Sequence, residues 1–230
     1  MEQLTFDLAS PSPPTLENFL PGGNAEALAA LARFAAADTR ETSIVLWGSP
    51  GAGKTHLLRA TIAAAVTTQT ASYVASPLTL PPVTGAANVL LAIDGVESAD
   101  AAAQGRLFTL YNELAASGAR LVVAAVSPPA RMQLRDDLRT RLASGLVYEI
   151  LPLGDADKPA ALTSYARARG FVLAEDVIAY LLVHGRRDMP SLLALLAALD
   201  RYALATRRAV TVPLLKSWLH RTALTPNSEH

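Results

Sequence analysis

Apolar and polar residues alternate along the first two thirds of the chain in blocks that predict strands and helices in turn. The predicted strands are short apolar runs at 43–47, 71–75, 88–94, 120–126 and 146–150. Helical patterns lie between or before them, at 24–37 with Asn24 as a candidate N-cap, 54–66, 103–117 and 136–143. This alternation predicts an α/β domain whose parallel sheet is flanked by helices.

The strand pattern stops after Pro152, and the rest of the chain reads as helical. Four helices are predicted, at 155–169, 174–184, 190–206 and 212–219. At the other end, the prolines and serines of residues 9–14 predict an extended linker. We therefore expect a peptide and linker over 1–14, an α/β domain over 15–152, and a small all-α domain over 153–230.

A glycine-rich loop joins the first predicted strand to the helix at 54–66. Its residues match the pattern G-x-x-x-x-G-K-[ST] in full: Gly48, Ser49, Pro50, Gly51, Ala52, Gly53, Lys54 and Thr55. The glycines allow successive backbone N–H groups to surround the α- and β-phosphates of a nucleotide. Lys54 is expected to reach the β/γ-phosphates and the Thr55 hydroxyl to ligate Mg²⁺. The strand, loop and helix order predicts a phosphate-binding loop.

A second candidate ligand of the magnesium ion follows the apolar run 88–93. Asp94 ends that run, which is typical of a buried parallel strand that delivers an aspartate to the Mg²⁺ site. Many ATPases of this kind have a second acid in the next position, but Gly95 occupies it here. Glu97 lies two residues farther on and need not point at the same atom. We therefore expect weak intrinsic hydrolysis.

Composition limits the remaining classes of function. The 230 residues are 51% hydrophobic, and 20 basic residues balance 20 acidic ones, so the net charge predicts DNA contact that is at most weak or indirect. The chain has no cysteine, which excludes disulfides and thiolate metal sites. No apolar run approaches the roughly 20 residues of a membrane span, and no signal-like segment opens the sequence. We expect a cytoplasmic protein.

Two interpretations fit the first eight residues. Leu4, Phe6 and Leu8 alternate with period two, as in an edge strand. The same residues, tethered by the linker, could instead dock in an apolar pocket of a partner while the Gln3 amide makes a directional hydrogen bond. The residues alone leave both open.

Four stretches give the chain a resemblance to a known family. Within a nucleotide-binding core followed by a helical lid, they resemble the DnaA family of AAA+ proteins: Thr15–Phe19, the phosphate loop, Ile93–Glu97 and Leu138–Leu142. The resemblance covers nearly the whole chain and is strongest to the Hda-type regulatory relatives of DnaA. The start Gln3–Leu8 is similar to a sliding-clamp-binding peptide, and little sequence follows the lid where the initiators have a helix-turn-helix domain.

The resemblance implies a negative regulator of DNA replication initiation. Gln3, Leu4, Phe6 and Leu8 would bind the β sliding clamp of DNA polymerase III, which favours the docking interpretation over the edge strand. The core would bind ADP or ATP with Mg²⁺. Arg141 lies at the position of an arginine finger that acts on ATP bound to DnaA. Related proteins self-associate, so the resemblance also implies a homo-oligomer.

The chain departs from the family pattern at two sensor positions. Pro190 stands where a sensor-2 arginine is expected, and Arg186 or Arg187 would have to reach the nucleotide instead. Residues 124–127 supply little polarity at sensor 1. Together with Gly95, these departures predict that catalysis in cis has decayed while nucleotide binding and Arg141 remain. The alternatives are an autonomous AAA+ ATPase that loads or remodels, and a DnaA-related adaptor that does not stimulate hydrolysis.

Overall fold

The computed structural model of the chain describes residues 13–66, 69–80, 88–185 and 188–224. They divide into two compact units, Pro14–Leu153 and a second unit that begins at Gly154. The predicted partner-binding residues Gln3, Leu4, Phe6 and Leu8 lie outside the described residues, as do Arg186 and Arg187. No helix among those described is both long and apolar enough to cross a membrane.

Five parallel strands form the sheet of the first unit, in the order β2-β3-β4-β1-β5. They are β1 Ser43–Trp47, β2 Thr70–Val74, β3 Val89–Ile93, β4 Arg120–Ala125 and β5 Leu146–Glu149. The predicted strands are thus correct to within two residues at each end. Because β1 and β3 both pair with β4 in parallel, their carboxyl ends meet at one edge of the sheet.

Helices cover both faces of this sheet. They are α1 Ala25–Ala35, α2 Lys54–Ala65, α3 Ala101–Ser117 and α4 Asp136–Ala143. Short 3-10 turns lie at Gly22–Asn24, Pro77–Thr79, Val96–Ser98 and Pro129–Arg131. The Asp100 carboxylate caps α3 by accepting from the Ala103 N–H, and Gly118 ends it with a φ of 70°. The predicted α/β architecture is confirmed.

The core of the first unit has two layers, one on each face of the sheet. Ile44 and Leu46 of β1 pack with α1 and α2, whereas Val45 faces α3 and α4. Both faces of the strand are therefore buried, which explains its uninterrupted apolar sequence. Leu138 and Leu142 of α4 are fully buried in the second layer, and each contributes roughly 1.5–3 kcal/mol by leaving water.

Asn24 stands at the N-cap position of α1, but its side chain makes no capping bond. The preceding 3-10 turn instead places its side-chain amide against the backbone of Leu151. The amide donates to the Leu151 carbonyl at 2.9 Å and accepts from the Leu151 N–H at 2.8 Å. The predicted N-cap position is therefore correct, but the side chain caps no helix N–H because this long-range pair uses both of its polar atoms. The residue is buried.

The second unit is all helical, as predicted. Its helices are α5 Lys158–Ala168, α6 Glu175–His184, α7 Met189–Thr206 and α8 Val212–Leu224. Buried leucines such as Leu162, Leu196 and Leu215 form its core, and Trp218 packs against them. Arg169 donates to Asp200 at 2.9 Å, and both side chains are only 8% exposed. This ion pair is buried inside the helical unit.

Replacing one partner of the buried ion pair should destabilise the second unit. Asp200→Ala leaves the Arg169 guanidinium buried without its carboxylate, and we expect the free energy of unfolding to fall by about 3–5 kcal/mol. Urea denaturation followed by circular dichroism measures this loss. Asp136→Ala is the matched control, because the Asp136 side chain is 89% exposed in its pair with Arg139, and we expect a change below about 1 kcal/mol. Equal losses in both variants would contradict the prediction.

Candidate nucleotide site

The phosphate loop begins where β1 ends and leads directly into α2. Gly48, Gly51 and Gly53 have φ angles of 152°, 82° and 102°, which favour glycine. Space is also limiting: a Cβ on Gly48 would lie 2.3 Å from the Ile150 carbonyl oxygen, and one on Gly53 would lie 2.8 Å from the Phe19 ring. Glycine is therefore required at both positions.

Lys54 lies at the first turn of α2 and contacts the loop itself. Its ammonium donates to the carbonyl oxygens of Gly48 at 2.6 Å and Ser49 at 2.9 Å. Burial lowers the pKa of Lys54, while the charges of Glu97 and Asp94 act in the opposite direction. An anionic phosphate would be a stronger acceptor for this ammonium than the two neutral carbonyls.

The two predicted ligands of the magnesium ion come together at the carboxyl edge of the sheet. The Thr55 hydroxyl donates to Oδ2 of Asp94 at 2.6 Å. The Tyr73 hydroxyl donates to the same oxygen at 3.0 Å. Hydroxyl and carboxylate oxygens are the hard ligands that Mg²⁺ takes in phosphate-binding sites, so these residues fit the ion. Tyr73 is a site residue that the sequence analysis assigned only to a strand.

Gly95 occupies the position of a second acid, and its backbone conformation favours glycine there. Its φ of 60° is left-handed, and its carbonyl accepts from the Ser98 hydroxyl at 2.8 Å in the turn that follows. Glu97 lies on that turn and is exposed. Its charge opposes the lowering of the Lys54 pKa by burial, so it acts on the site through electrostatics.

The stretch Thr15–Phe19 lies beside the phosphate loop and contacts α2. His56 Nε2 donates to the Thr15 carbonyl at 3.2 Å, and the rings of His56 and Phe19 are 5.5 Å apart. Burial lowers the pKa of His56 despite this hydrogen bond. His56 therefore packs the loop helix against the stretch Thr15–Phe19.

Arg141 is exposed on α4, and its guanidinium has no ion-pair or hydrogen-bond partner among the described residues. The other two arginines of this segment are engaged: Arg135 pairs with Asp137 at 2.6 Å, and Arg139 pairs with Asp136 at 2.7 Å. Arg141 thus differs from its neighbours in having its forked donors available.

Polar contacts from α3 hold both ends of α4. At the start, the Gln104 side chain accepts from the Arg135 N–H at 2.8 Å. At the end, the Tyr111 hydroxyl is 3.2 Å from the Ser144 hydroxyl, which donates to the Arg141 carbonyl at 2.7 Å. The backbone of Arg141 is therefore fixed while its guanidinium remains free.

Known proteins resemble the chain in both of its units. Residues 155–219 match the family model described as Hda, lid domain. Domain III of the Thermotoga maritima replication initiation protein DnaA superposes with a TM-score of 0.78 at 23% identity, over 89% of this chain and 94% of that one. AMPPCP-bound DnaA from Aquifex aeolicus gives a TM-score of 0.69 at 23% identity, over 82% of this chain and 65% of that one.

The Thermotoga maritima RuvB Holliday junction branch migration motor has the same fold, with a TM-score of 0.65 at 15% identity over 89% of this chain and 70% of that one. The parallel sheet, the phosphate loop and the helical second unit give the chain the same fold as DnaA domain III and RuvB. Because residues 155–219 match the Hda lid model and the chain shares the DnaA fold, the resemblance of the chain to the Hda-type relatives of DnaA is confirmed.

Removing the loop ammonium should weaken nucleotide binding. Lys54→Ala loses charge-assisted hydrogen bonds worth about 1.5–3 kcal/mol, and we expect the dissociation constant for a fluorescent ADP analogue to rise roughly 10- to 150-fold. Fluorescence anisotropy measures this change. Lys216→Ala is the matched control, because Lys216 lies on α8 over the Tyr180 ring. An unchanged affinity in Lys54→Ala would contradict the site.

Stability should depend on pH through His56. Since burial lowers the pKa of His56 in the folded chain below its ordinary value of 6.5, the unfolded chain binds a proton first as the pH falls below about 6.5. We expect the melting temperature to decline between pH 7 and pH 5.5, and to decline less in His56→Gln. Thermal unfolding at the two pH values measures both. Identical declines in the two proteins would exclude His56 as the cause.

Proposed function

We propose that this chain is an Hda-like negative regulator of DNA replication initiation. In this proposal it binds ADP or ATP, docks on the sliding clamp and stimulates hydrolysis of the ATP held by DnaA. The observation that carries the proposal is the Hda lid domain at residues 155–219 in a chain with a DnaA-like AAA+ fold. The phosphate loop and Arg141 then supply the chemistry.

Adenine nucleotide is the proposed ligand of the phosphate loop. DnaA from Aquifex aeolicus, which shares the fold, has been solved with AMPPCP bound. Lys54 would hold the phosphates, and Thr55 and Asp94 would hold Mg²⁺. The ion supplies neutralisation of phosphate charge when it is bound.

Arg141 is the proposed catalytic residue, and it acts on a nucleotide bound to another protein. A guanidinium stays charged at all relevant pH values and offers planar donors to phosphate oxygens. Fingers of this kind accelerate hydrolysis by roughly 10³ to 10⁵, equivalent to about 4–7 kcal/mol of transition-state stabilisation. The free guanidinium on a fixed backbone supports this role, because little additional ordering of the helix is needed.

Low turnover by the chain itself fits the same proposal. Gly95 has left-handed backbone geometry in place of a second acid, and Pro190 occupies the first turn of α7, where the Asp188 side chain accepts from the Ser191 N–H. Gln3, Leu4, Phe6 and Leu8 are the proposed clamp contacts. Contact with DNA would then be indirect, through the clamp, and self-association remains part of the proposal.

An autonomous ATPase is the second candidate. It is favoured by the complete arrangement of Lys54, Thr55 and Asp94 at the carboxyl edge of the sheet. It differs from the first candidate in requiring phosphate release by this chain alone.

The deciding experiment measures phosphate release from ATP-loaded DnaA mixed with DNA-loaded clamp and this protein. We expect strong stimulation by the native chain, and loss of it in both Arg141→Ala and Gln3→Ala. Arg139→Ala is the matched control, because Arg139 lies on the same helix but is engaged by Asp136; it should retain stimulation. Arg141→Lys keeps the charge without the fork and should restore only part of it.

Three outcomes would contradict parts of this proposal. Equal loss in Arg139→Ala and Arg141→Ala would contradict a specific finger. Stimulation by Arg141→Ala equal to that of the native chain would favour the adaptor interpretation. Phosphate release by the chain alone, abolished by Lys54→Ala and without effect on DnaA, would favour the autonomous ATPase.

A further inference from the structure

Tyr73 reaches the magnesium site from a strand at the edge of the sheet. It lies on β2 opposite Ala92 of β3. Ala92 in turn lies two residues before Asp94 in the sequence. Its hydroxyl donates to Oδ2 of Asp94 at 3.0 Å, and the Thr55 hydroxyl donates to the same oxygen at 2.6 Å. Two donors from different elements therefore converge on one carboxylate oxygen.

This convergence restricts the orientation of the Asp94 carboxylate. The side-chain torsion that rotates a carboxylate plane is intrinsically broad, so one donor alone would leave it loosely defined. Two donors on Oδ2 restrain the rotation, and Oδ1 accepts no hydrogen bond from the described residues. Oδ1 remains available to a metal-bound water. The Thr55 oxygen also keeps its lone pairs, since it uses only its hydrogen toward Asp94.

Arg59 supports the Tyr73 ring from the phosphate-loop helix. It lies one turn after Thr55 on α2, and its guanidinium carbon is 4.6 Å from the centre of the ring. A cation over a tyrosine face is attracted by the ring electrons. The ring is thus held from α2 while its hydroxyl contacts the end of β3.

We propose that Tyr73 is a positioning residue of the magnesium site, which orients the Asp94 carboxylate through Oδ2 and leaves Oδ1 for the ion and its water. The role rests on the nucleotide and magnesium binding of the proposed function. It is independent of the clamp peptide and of Arg141. Removal of the Tyr73 hydroxyl should therefore change the Mg²⁺ concentration that is needed to strengthen nucleotide binding.

The test compares Mg²⁺ titrations of Tyr73→Phe and the native chain. The substitution removes the hydroxyl and keeps the ring that Arg59 contacts. With a fluorescent ADP analogue present, we expect the Mg²⁺ concentration for half of the full gain in affinity to rise about 3- to 10-fold, as for the net loss of one ordinary intramolecular hydrogen bond. Affinity measured in EDTA should stay within twofold of native. Tyr148→Phe on β5 is the matched control and should leave both values unchanged.

Each result decides the proposal in one direction. A raised Mg²⁺ requirement with unchanged affinity in EDTA supports it. An unchanged Mg²⁺ requirement overturns it. An equal loss of affinity with and without Mg²⁺ also overturns it, because the hydroxyl would then act only on the folding of the loop. If the native chain gains no affinity from Mg²⁺, the magnesium site itself is wrong; a native gain with no shift in Tyr73→Phe refutes the role of Tyr73 alone.

Discussion

The parallel pairing of β1 and β3 with the central strand β4 is the constraint on which the site depends. It brings the start of the phosphate loop and the residue after β3 to one edge of the sheet, although 39 residues separate Thr55 from Asp94. The hydrogen bond of 2.6 Å between them is possible only in this register. A shift of one residue would turn Asp94 toward the opposite face. The apolar layers on both faces of the sheet fix that register, so the packing of the core also determines the geometry of the candidate site.

The sequence was sufficient to predict the elements that local pattern determines. Strands buried on both faces give continuous apolar runs, and the phosphate loop has a strict pattern, so both were predicted closely. Contacts between distant residues were not predictable in this way. The contact of Tyr73 with Asp94 depends on the pairing of β2 with β3, and the Asn24 side chain pairs with Leu151, 127 residues away. A local capping rule cannot anticipate such a competing partner.

The arginines of the described residues differ in what satisfies their guanidinium donors. Arg120 is buried and donates to the Phe34 carbonyl at 2.8 Å and to the Gln69 side chain, and Arg169 is buried against Asp200. No buried side-chain nitrogen or oxygen of the described residues lacks a hydrogen-bond partner, as the cost of burying an unpaired polar group requires. Arg141 is exposed and has no partner among the described residues, so solvent satisfies its donors. An arginine in this state gives up only hydrogen bonds to water when it binds a second protein. Losing water costs less than breaking an ion pair.

The left-handed backbone of Gly95 makes a second acid at this position costly to the fold. A Cβ placed there would have the Ser98 hydroxyl at 3.9 Å as its nearest neighbour, so space is available, but a glutamate would have to adopt a conformation that costs roughly 1–2 kcal/mol for residues with a Cβ. The acid would be acquired at the expense of the turn that carries Glu97. Glycine at position 95 thus keeps the backbone beside Asp94 unstrained, and in exchange the chain has no side chain at that position.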